Sequence, residues 1–443
     1  MISFLRKIKL SVLSSALICC SVNALEAKDM QIISHQDDDF LFMNPDMENA
    51  IKAGHKVQTV YVTSGDAGLI HWNDGYLSLN APGVLVYHWQ LRELGTQAAY
   101  AKMAGVANVW TAQKINVLGK DLDLYTLRDA PNVTIIYMRL PDGNPSGTGY
   151  SETCNTSLEK LWKHESSFIP KVNASNFCQP QQFESYSREQ LIEVLTKLIK
   201  DYSPNIVRTL DSTGIYGNDH SDHKHSALFT LEALHASNKD INYKIYRGYY
   251  ISSLPVNLTN NDRNIKWNSF LQYAAFDMCK YPRLSQPNGG ADPNTCEVNT
   301  DYTTWGYRMY SISAVKNRNG KLQGLGGKCL DVRGAQANNG TNVQIWDCVN
   351  APQQEWKLTN EGYLQGLGGK CLDVRGGSDT NGTAVQIWDC VNVPQQKWTL
   401  MDNGLLRGIS GKCLDVRGAQ ANNGTNIQIW DCVDAPQQKW GFQ

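Results

Sequence analysis

The sequence predicts an α/β domain built on a Rossmann-like, mostly parallel sheet flanked by helices, followed by an all-β domain in the form of a β-trefoil. Two observations carry this expectation. In the first 240 residues, short apolar runs at 30–33, 57–63, 132–140 and 205–210 alternate with helical patterns at 87–103, 188–202 and 224–237. Strands that alternate with helices imply a parallel sheet covered on both sides. Beyond residue 317 the pattern changes to a repeat of 42 residues: Lys328-Cys-Leu-Asp-Val-Arg-Gly334 returns at 370–376 and 412–418. Each copy continues through Asn-Gly-Thr and Gln-Ile-Trp-Asp-Cys to a closing Gln-Gln-x-Trp. Short apolar runs between Gly and Asn turns are β-hairpins, and three such units close about a pseudo-threefold axis.

Taken from the start, Arg6, Lys7 and Lys9 precede an apolar stretch, Leu10 to Cys20, and a small-residue exit at Val22-Asn-Ala24. This is the pattern of a secretory signal peptide cleaved after Ala24, with lipidation of Cys20 as a lesser alternative. The expected segments are therefore a leader at 1–24, the α/β domain at 25–317 and the trefoil at 318–443. No other segment has the roughly 18 uninterrupted apolar residues that span a bilayer, so the mature chain is expected to be soluble and secreted, extracellular or periplasmic. The strand at Met30–Ile33 ends just before Ser34-His-Gln-Asp-Asp-Asp39, and open α/β sheets keep their sites at the carboxyl ends of strands. Arg92 and Glu93 lie in the first helix. The helix at 188–202 is entered by a Ser187-x-x-Gln190 capping box. The run at 205–210 leads through a Gly-containing loop to His220-Ser-Asp-His223, with Asp222 as N-cap of a helix carrying Leu228, Leu231 and Leu234. The polar stretch 141–178 is too long for an ordinary connection, and Cys154 with Cys178 would pin it over the site. Residues 253–315, aromatic and Asn-rich, are expected to finish the domain and pack the trefoil against it.

Histidine is scarce, nine in 443 residues, yet His35, His220, His223 and His225 fall in two short clusters with aspartates attached. One carboxylate and two imidazoles suit a divalent transition metal, and an acid and a histidine are left for proton chemistry. The bland alternative is a solvated acidic turn and a polar helix cap. Calcium is disfavoured because imidazole does not suit it. His225 has no role in this scheme and is expected on the helix surface.

His35-Gln-Asp-Asp-Asp39, followed by Leu41-Phe-Met-Asn-Pro-Asp46, resembles the His-Pro-Asp-Asp-Glu motif of the PIG-L/LmbE-like N-acetylglucosaminyl deacetylases, and His220-Ser-Asp-His223 resembles their second motif. Thr63-Ser-Gly-Asp-Ala-Gly68 and Arg92-Glu93 fall where that family has further elements. Over roughly 29–250, the resemblance implies that His35, Asp38 and His223 bind one Zn2+, or another divalent metal such as Fe, Co or Mn. It also implies that Asp37 is the general base, that His220 stabilises the oxyanion and that Arg92 contacts substrate. Gln36 in place of proline and Asp39 in place of glutamate depart from the pattern.

The repeats, with Gln-x-Trp three times, resemble ricin B-type lectins. That resemblance implies sugar contacts at Asp331, Gln344, Trp346 and Gln353, at Asp373, Gln386, Trp388 and Gln395, and at Asp415, Gln428, Trp430 and Gln437. Indole faces stack on pyranose rings while carboxylates and amides bond their hydroxyls. Trp356, Trp398 and Trp440 are expected in the core, and Gln354, Gln396 and Gln438 in structural hydrogen bonds.

Of the 12 cysteines, loss of Cys19 and Cys20 with the leader leaves ten, an even number that suggests disulfides in an exported chain. Proximity suggests Cys154 with Cys178, Cys279 with Cys296, Cys329 with Cys348, Cys371 with Cys390 and Cys413 with Cys432. The formal net charge is −1 and no basic run follows the leader, which disfavours nucleic acid or anionic membrane as partner and suits a neutral glycan. The expected function is a secreted zinc-dependent deacetylase of an N-acetylglucosamine-type sugar in a glycan or glycoconjugate, held on its substrate by the trefoil. The alternatives are a lectin or adhesin with an inactive α/β scaffold, and a metal-dependent hydrolase of another ester or amide.

Overall fold

In the computed structural model, residues 27–68, 87–172, 184–212, 219–239, 241–279, 292–315, 318–359, 362–391 and 393–443 are described; the expected leader and Cys20 lie outside them. The strands of the first domain are β1 (Lys28–Ile33), β2 (Lys56–Thr63), β3 (Trp110–Val117), β4 (Lys120–Leu127), β5 (Val133–Leu140), the short pair β6 (Ile169–Pro170) and β7 (Ser185–Tyr186), β8 (Ile206–Leu210), β9 (Asn242–Tyr246) and β10 (Ser311–Val315). The helices are α1 (Asp46–Lys52), α2 (His88–Ala104), α3 (Leu158–Trp162), α4 (Arg188–Tyr202), α5 (Ser221–Ser237), α6 (Asn260–Asp277) and α7 (Thr300–Gly306).

The main sheet runs β10-β9-β8-β1-β2-β5-β4-β3. Its centre, β9-β8-β1-β2-β5, is parallel, while β4, β3 and β10 pair antiparallel. The sheet is therefore mixed, with the antiparallel β3–β4 hairpin as an edge that the sequence reading left unassigned. Alternation along each central strand divides the core. Ile135 and Tyr137 of β5 face one apolar layer, with Tyr100 of α2 and Phe270 and Tyr273 of α6. Ile136, Met138 and Leu140 face the other, with Leu161 of α3, Leu195 of α4 and Phe229 of α5. Strands buried on both faces are expected of a parallel sheet between helix layers.

The capping box of α4 forms as read: Ser187 Oγ accepts from Gln190 N, and Gln190 Oε1 accepts from Ser187 N. Two local expectations are corrected. The N-cap of α5 is His220, whose Nδ1 accepts from Asp222 N at 3.2 Å, not Asp222. His225 is buried, 3% exposed, with Nδ1 on Ser221 O at 2.7 Å, because α5 is covered on almost every side.

The second domain consists of β11 (Arg318–Gln323), β12 (Cys329–Val332), β13 (Val343–Trp346), β14 (Glu355–Leu358), β15 (Leu364–Gln365), β16 (Cys371–Val374), β17 (Val385–Trp388), β18 (Thr399–Met401), β19 (Leu406–Arg407), β20 (Cys413–Val416), β21 (Ile427–Trp430) and β22 (Gly441–Phe442). It is a β-trefoil. Trp356, Trp398 and Trp440 are core residues whose indole N–H groups donate to Leu330 O, Leu372 O and Leu414 O at 2.9 Å. Disulfides join Cys279 to Cys296, Cys329 to Cys348, Cys371 to Cys390 and Cys413 to Cys432. Cys154 is also disulfide-bonded; its expected partner, Cys178, lies outside the described residues. β10 pairs with β9 on one side and β18 on the other, so one hydrogen-bonded sheet passes through both domains.

Candidate active site

β1 delivers His35, Asp37 and Asp38 to the carboxyl edge of the sheet, and the first turn of α5 delivers His220 and His223 beside them. Asp38 caps the turn on itself, accepting His35 N at Oδ2 over 2.7 Å. The chain then enters a π-helical turn, Asp39–Met43, which packs Phe42 against the His223 ring with centroids 5.8 Å apart. His223 Nε2 lies 2.9 Å from Asp38 Oδ1 and 3.3 Å from His35 Nδ1. These three residues converge, with ligand atoms within 4.8 Å of one another.

Each imidazole has its other nitrogen on a carboxylate. His223 Nδ1 is 2.7 Å from Asp219 Oδ1, and His35 Nε2 is 3.3 Å from Asp222 Oδ2. Such partners orient metal-binding histidines and raise their basicity. Burial opposes charge on both rings, yet the carboxylates outweigh it: His35 is raised well above its ordinary value and His223 is pushed up to about 10, chiefly by Asp38. Asp38, despite its burial, is held well below the usual carboxylate range by His223 and His35. A buried cluster of two imidazoles and a carboxylate, each imidazole held by a further carboxylate, fits a divalent transition metal.

Asp37 stands beside this triad. Burial raises its pKa, partly opposed by Arg92, whose Nη2 donates to Asp37 Oδ1 at 2.6 Å. Arg92, expected at the substrate, has its donors on Tyr273 Oη (2.6 Å), Gly65 O (2.7 Å) and Asp37. Gly65 is required here: its φ is +57°, and a Cβ would lie 2.3 Å from Arg92 Nη1. His220 adjoins the cluster, its ring edge-on to His35 with centroids 4.5 Å apart. Burial, then the neighbouring charges of His35 and His223, keep His220 neutral by lowering its pKa.

Sequence reading missed four groups that complete the site. Asp142, from the long 141–178 segment, lies 3.6 Å from His220 Nε2 and 3.7 Å from His35 Nε2. Asp66 accepts from Asp142 N at 2.9 Å and so fixes that segment to the loop after β2. Asp219, one residue before His220, bonds His223. Tyr249 walls the pocket, edge-on to His223 at 5.0 Å and stacked on Trp305 at 4.8 Å. Gly143 permits the close pass: a Cβ would lie 2.6 Å from Asp222 Oδ1. At the two departures from the motif, Gln36 Nε2 donates to Thr63 O at 3.2 Å. Asp39 is reached by the hydroxyls of Tyr61 and Tyr100 at 2.7 and 2.6 Å.

In the trefoil, Asp331 Oδ1 accepts from Gln344 Nε2 at 2.9 Å and Oδ2 from Gln354 Nε2 at 3.0 Å, and the pattern recurs at Asp373 and Asp415. Gln354, Gln396 and Gln438 are fully buried in these structural bonds, while Trp346, Trp388 and Trp430 are 41%, 41% and 40% exposed. Gln353, Gln395 and Gln437 are half-buried beside them. Each exposed indole is approached by the Asn-Gly turn of a different repeat: a Cβ on Gly424, Gly340 or Gly382 would lie 3.8, 3.8 or 3.7 Å from Trp346, Trp388 or Trp430.

Family models match two separate stretches of the chain. Residues 30–234 match the PIG-L family, described as GlcNAc-PI de-N-acetylase, and residues 318–440 match the ricin-type β-trefoil lectin domain. Among solved structures, a designed threefold-symmetric protein, ThreeFoil, is 32% identical over 28% of this chain and 95% of its own, with a TM-score of 0.27. The agglutinin of Abrus precatorius is 25% identical over 28% of this chain and 48% of its own, with a TM-score of 0.26. An exo-β-1,3-galactanase from Clostridium thermocellum is 26% identical over 28% of this chain and 30% of its own, also at 0.26.

Proposed function

We propose that this chain, a PIG-L family protein over residues 30–234 that carries a ricin-type β-trefoil lectin domain over 318–440, is an exported, zinc-dependent deacetylase. Its substrate would be an N-acetylated amino sugar of the N-acetylglucosamine type within a glycan, which the trefoil holds. The observation that carries this reading is the convergence of His35, Asp38 and His223, with His220 against their rings and Asp37 next to Asp38 in the same buried segment. A metal held by the first three would act as a Lewis acid on the acetamide and its attacking water.

The remaining work falls to the chain's own groups. Asp37, oriented by Arg92 and made more basic by burial, takes a proton from the attacking water and returns it to the departing amine, so that the C–N bond breaks as acetate and free amine form. His220 Nδ1 is occupied by Asp222 N–H, so its single proton sits on Nε2. That N–H donates to the amide oxygen as negative charge develops there. Asp142, beside His220 and His35, and Tyr249, against His223, are the neighbouring groups available to a bound sugar. In the trefoil, Asp331, Gln344, Trp346 and Gln353, with their counterparts at Asp373, Gln386, Trp388 and Gln395 and at Asp415, Gln428, Trp430 and Gln437, would hold the pyranose. Disulfides in both halves favour an oxidising compartment, in line with export, and among the described residues no helix is long and apolar enough to cross a membrane.

Metal analysis of the wild type and a His223→Ala variant, followed by acetate release from N-acetyl and O-acetyl sugars, tests the proposal. The expected result is about one zinc per chain, lost in the variant, with acetate released from the N-acetyl substrate. Absence of bound metal after zinc is supplied would refute it, and release from O-acetyl esters alone would replace it with an esterase.

A further inference from the structure

The trefoil repeats are nearly identical, and where they diverge, several of the changes fall on the first domain. Position 407 is arginine where the other repeats have Gln323 and Gln365; position 410 is serine where they have Gly326 and Gly368; position 379 is aspartate where they have Ala337 and Ala421. Arg407 is fully buried. Its Nη1 donates to Ser212 Oγ at 3.1 Å and its Nη2 to Asp211 Oδ1 at 3.4 Å. Ser410 N donates to Glu232 Oε1 at 3.3 Å and Ser410 Oγ to Asp379.

These contacts fall on the two elements that bracket the second metal motif. Asp211 and Ser212 directly follow β8, upstream of Asp219, His220 and His223. Downstream, α5 carries His223 in its first turn and lays Leu228, Glu232 and His235 on the trefoil, spaced at i, i+4 and i+7 along one helix face. Gly411 abuts Leu228, where a Cβ would lie 2.6 Å from Cδ2, and His235 Nε2 is 3.0 Å from Thr399 Oγ1. At the helix end, Lys397 Nζ donates to Asn238 Oδ1 at 3.2 Å. A module that only tethers an enzyme to a polymer needs none of this.

We infer that Arg407 of the third lectin repeat is a positioning residue for the metal centre, bracing Asp211 and Ser212 at the carboxyl end of β8. The inference rests on the metal site proposed above, but not on its substrate. A buried guanidinium is retained only when paired, and removing its partner group leaves an uncompensated charge. Here the pair ties the lectin to the strand that leads to Asp219, which orients His223.

The test uses the full chain with Arg407→Gln, which restores the residue that the other two repeats carry and so leaves the trefoil able to fold. Zinc affinity is measured by chelator competition, beside sugar binding and turnover of a soluble monosaccharide substrate. The expected result is zinc binding weakened on the order of tenfold, the range seen when groups supporting metal ligands are removed, with trefoil sugar binding retained. Met401→Ala is the control, since it loosens the domain contact without touching Asp211 or Ser212. Should Arg407→Gln fail to fold, Arg407→Lys keeps the charge but not the fork, and the same loss of zinc affinity is expected. Unchanged zinc affinity in the folded variant, or an equal loss in Met401→Ala, overturns the inference. Wild type that binds zinc but releases no acetate would overturn the proposed activity and leave this inference standing.

Discussion

Asp37 and Asp38 are neighbours in sequence with opposite electrostatic fates. Asp38 faces two imidazoles and is held ionised; Asp37 is buried beside one guanidinium, and burial shifts it toward the basicity a proton carrier needs. Asp37→Asn should therefore keep its metal and lose activity by about 10²–10⁴-fold, measurable as acetate release beside metal content. Arg92→Lys should keep the charge but lose the three-way grip on Asp37, Gly65 and Tyr273. Its kcat is expected to fall about tenfold or more with KM little changed; a rise in KM alone would assign Arg92 to substrate instead. The convergence of His35, Asp38 and His223 was legible because histidine is rare in this chain and falls in two short motifs with aspartates attached. Asp142 and Asp66 were not, because each stands alone in its own segment, and Asp142 reaches His35 and His220 only once its backbone N–H is fixed to Asp66 across the two loops.

Among the elements, α5 joins the His35–Asp38–His223 cluster to the lectin domain, and its burial explains both what was misread and how the protein should respond to pH. Leu228, Leu231 and Leu234 announced a helix, but the surface status assigned to His225 assumed a free polar face that α5 does not have. The N-cap was misplaced because aspartate is the common cap and histidine a rare one. The β3–β4 hairpin escaped notice because much of β3 is exposed and polar. Burial, and then Lys397, lower the pKa of His235 to about 3. Below its ordinary 6.5 the unfolded chain binds a proton that the folded chain refuses, so stability present at pH 7 is lost as pH falls toward 3, by about 1.4 kcal/mol per unit. His225, lowered by burial to about 4, adds in the same direction. Thermal midpoints at pH 7 and pH 5 should show a clear drop, and His235→Gln should make it smaller; an equal drop in the variant would assign the effect elsewhere.

For the molecule as a whole, the lectin presents three equally exposed indoles while its docking face is built from different residues, so docking and sugar capture do not compete. Replacing Trp346, Trp388 and Trp430 together by Ala should abolish retention on an insoluble glycan, and each single change should weaken it about tenfold through lost multivalency; turnover of a soluble substrate should stay within twofold of wild type, a bound of roughly 0.4 kcal/mol. The repeat architecture was plain in the sequence because it is written three times. The docking face was written once, in Arg407, Ser410 and Asp379, and acquires meaning only when the first domain lies against it. The Asn-Gly turns carry one last consequence. Gly424 of the final repeat closes on Trp346 of the first, Gly340 on Trp388 and Gly382 on Trp430, so the repeats borrow from one another in a ring that has no beginning. A solitary repeat would own an aspartate, an amide and an indole, yet it would need two further copies of itself before any of its surfaces could close around a sugar.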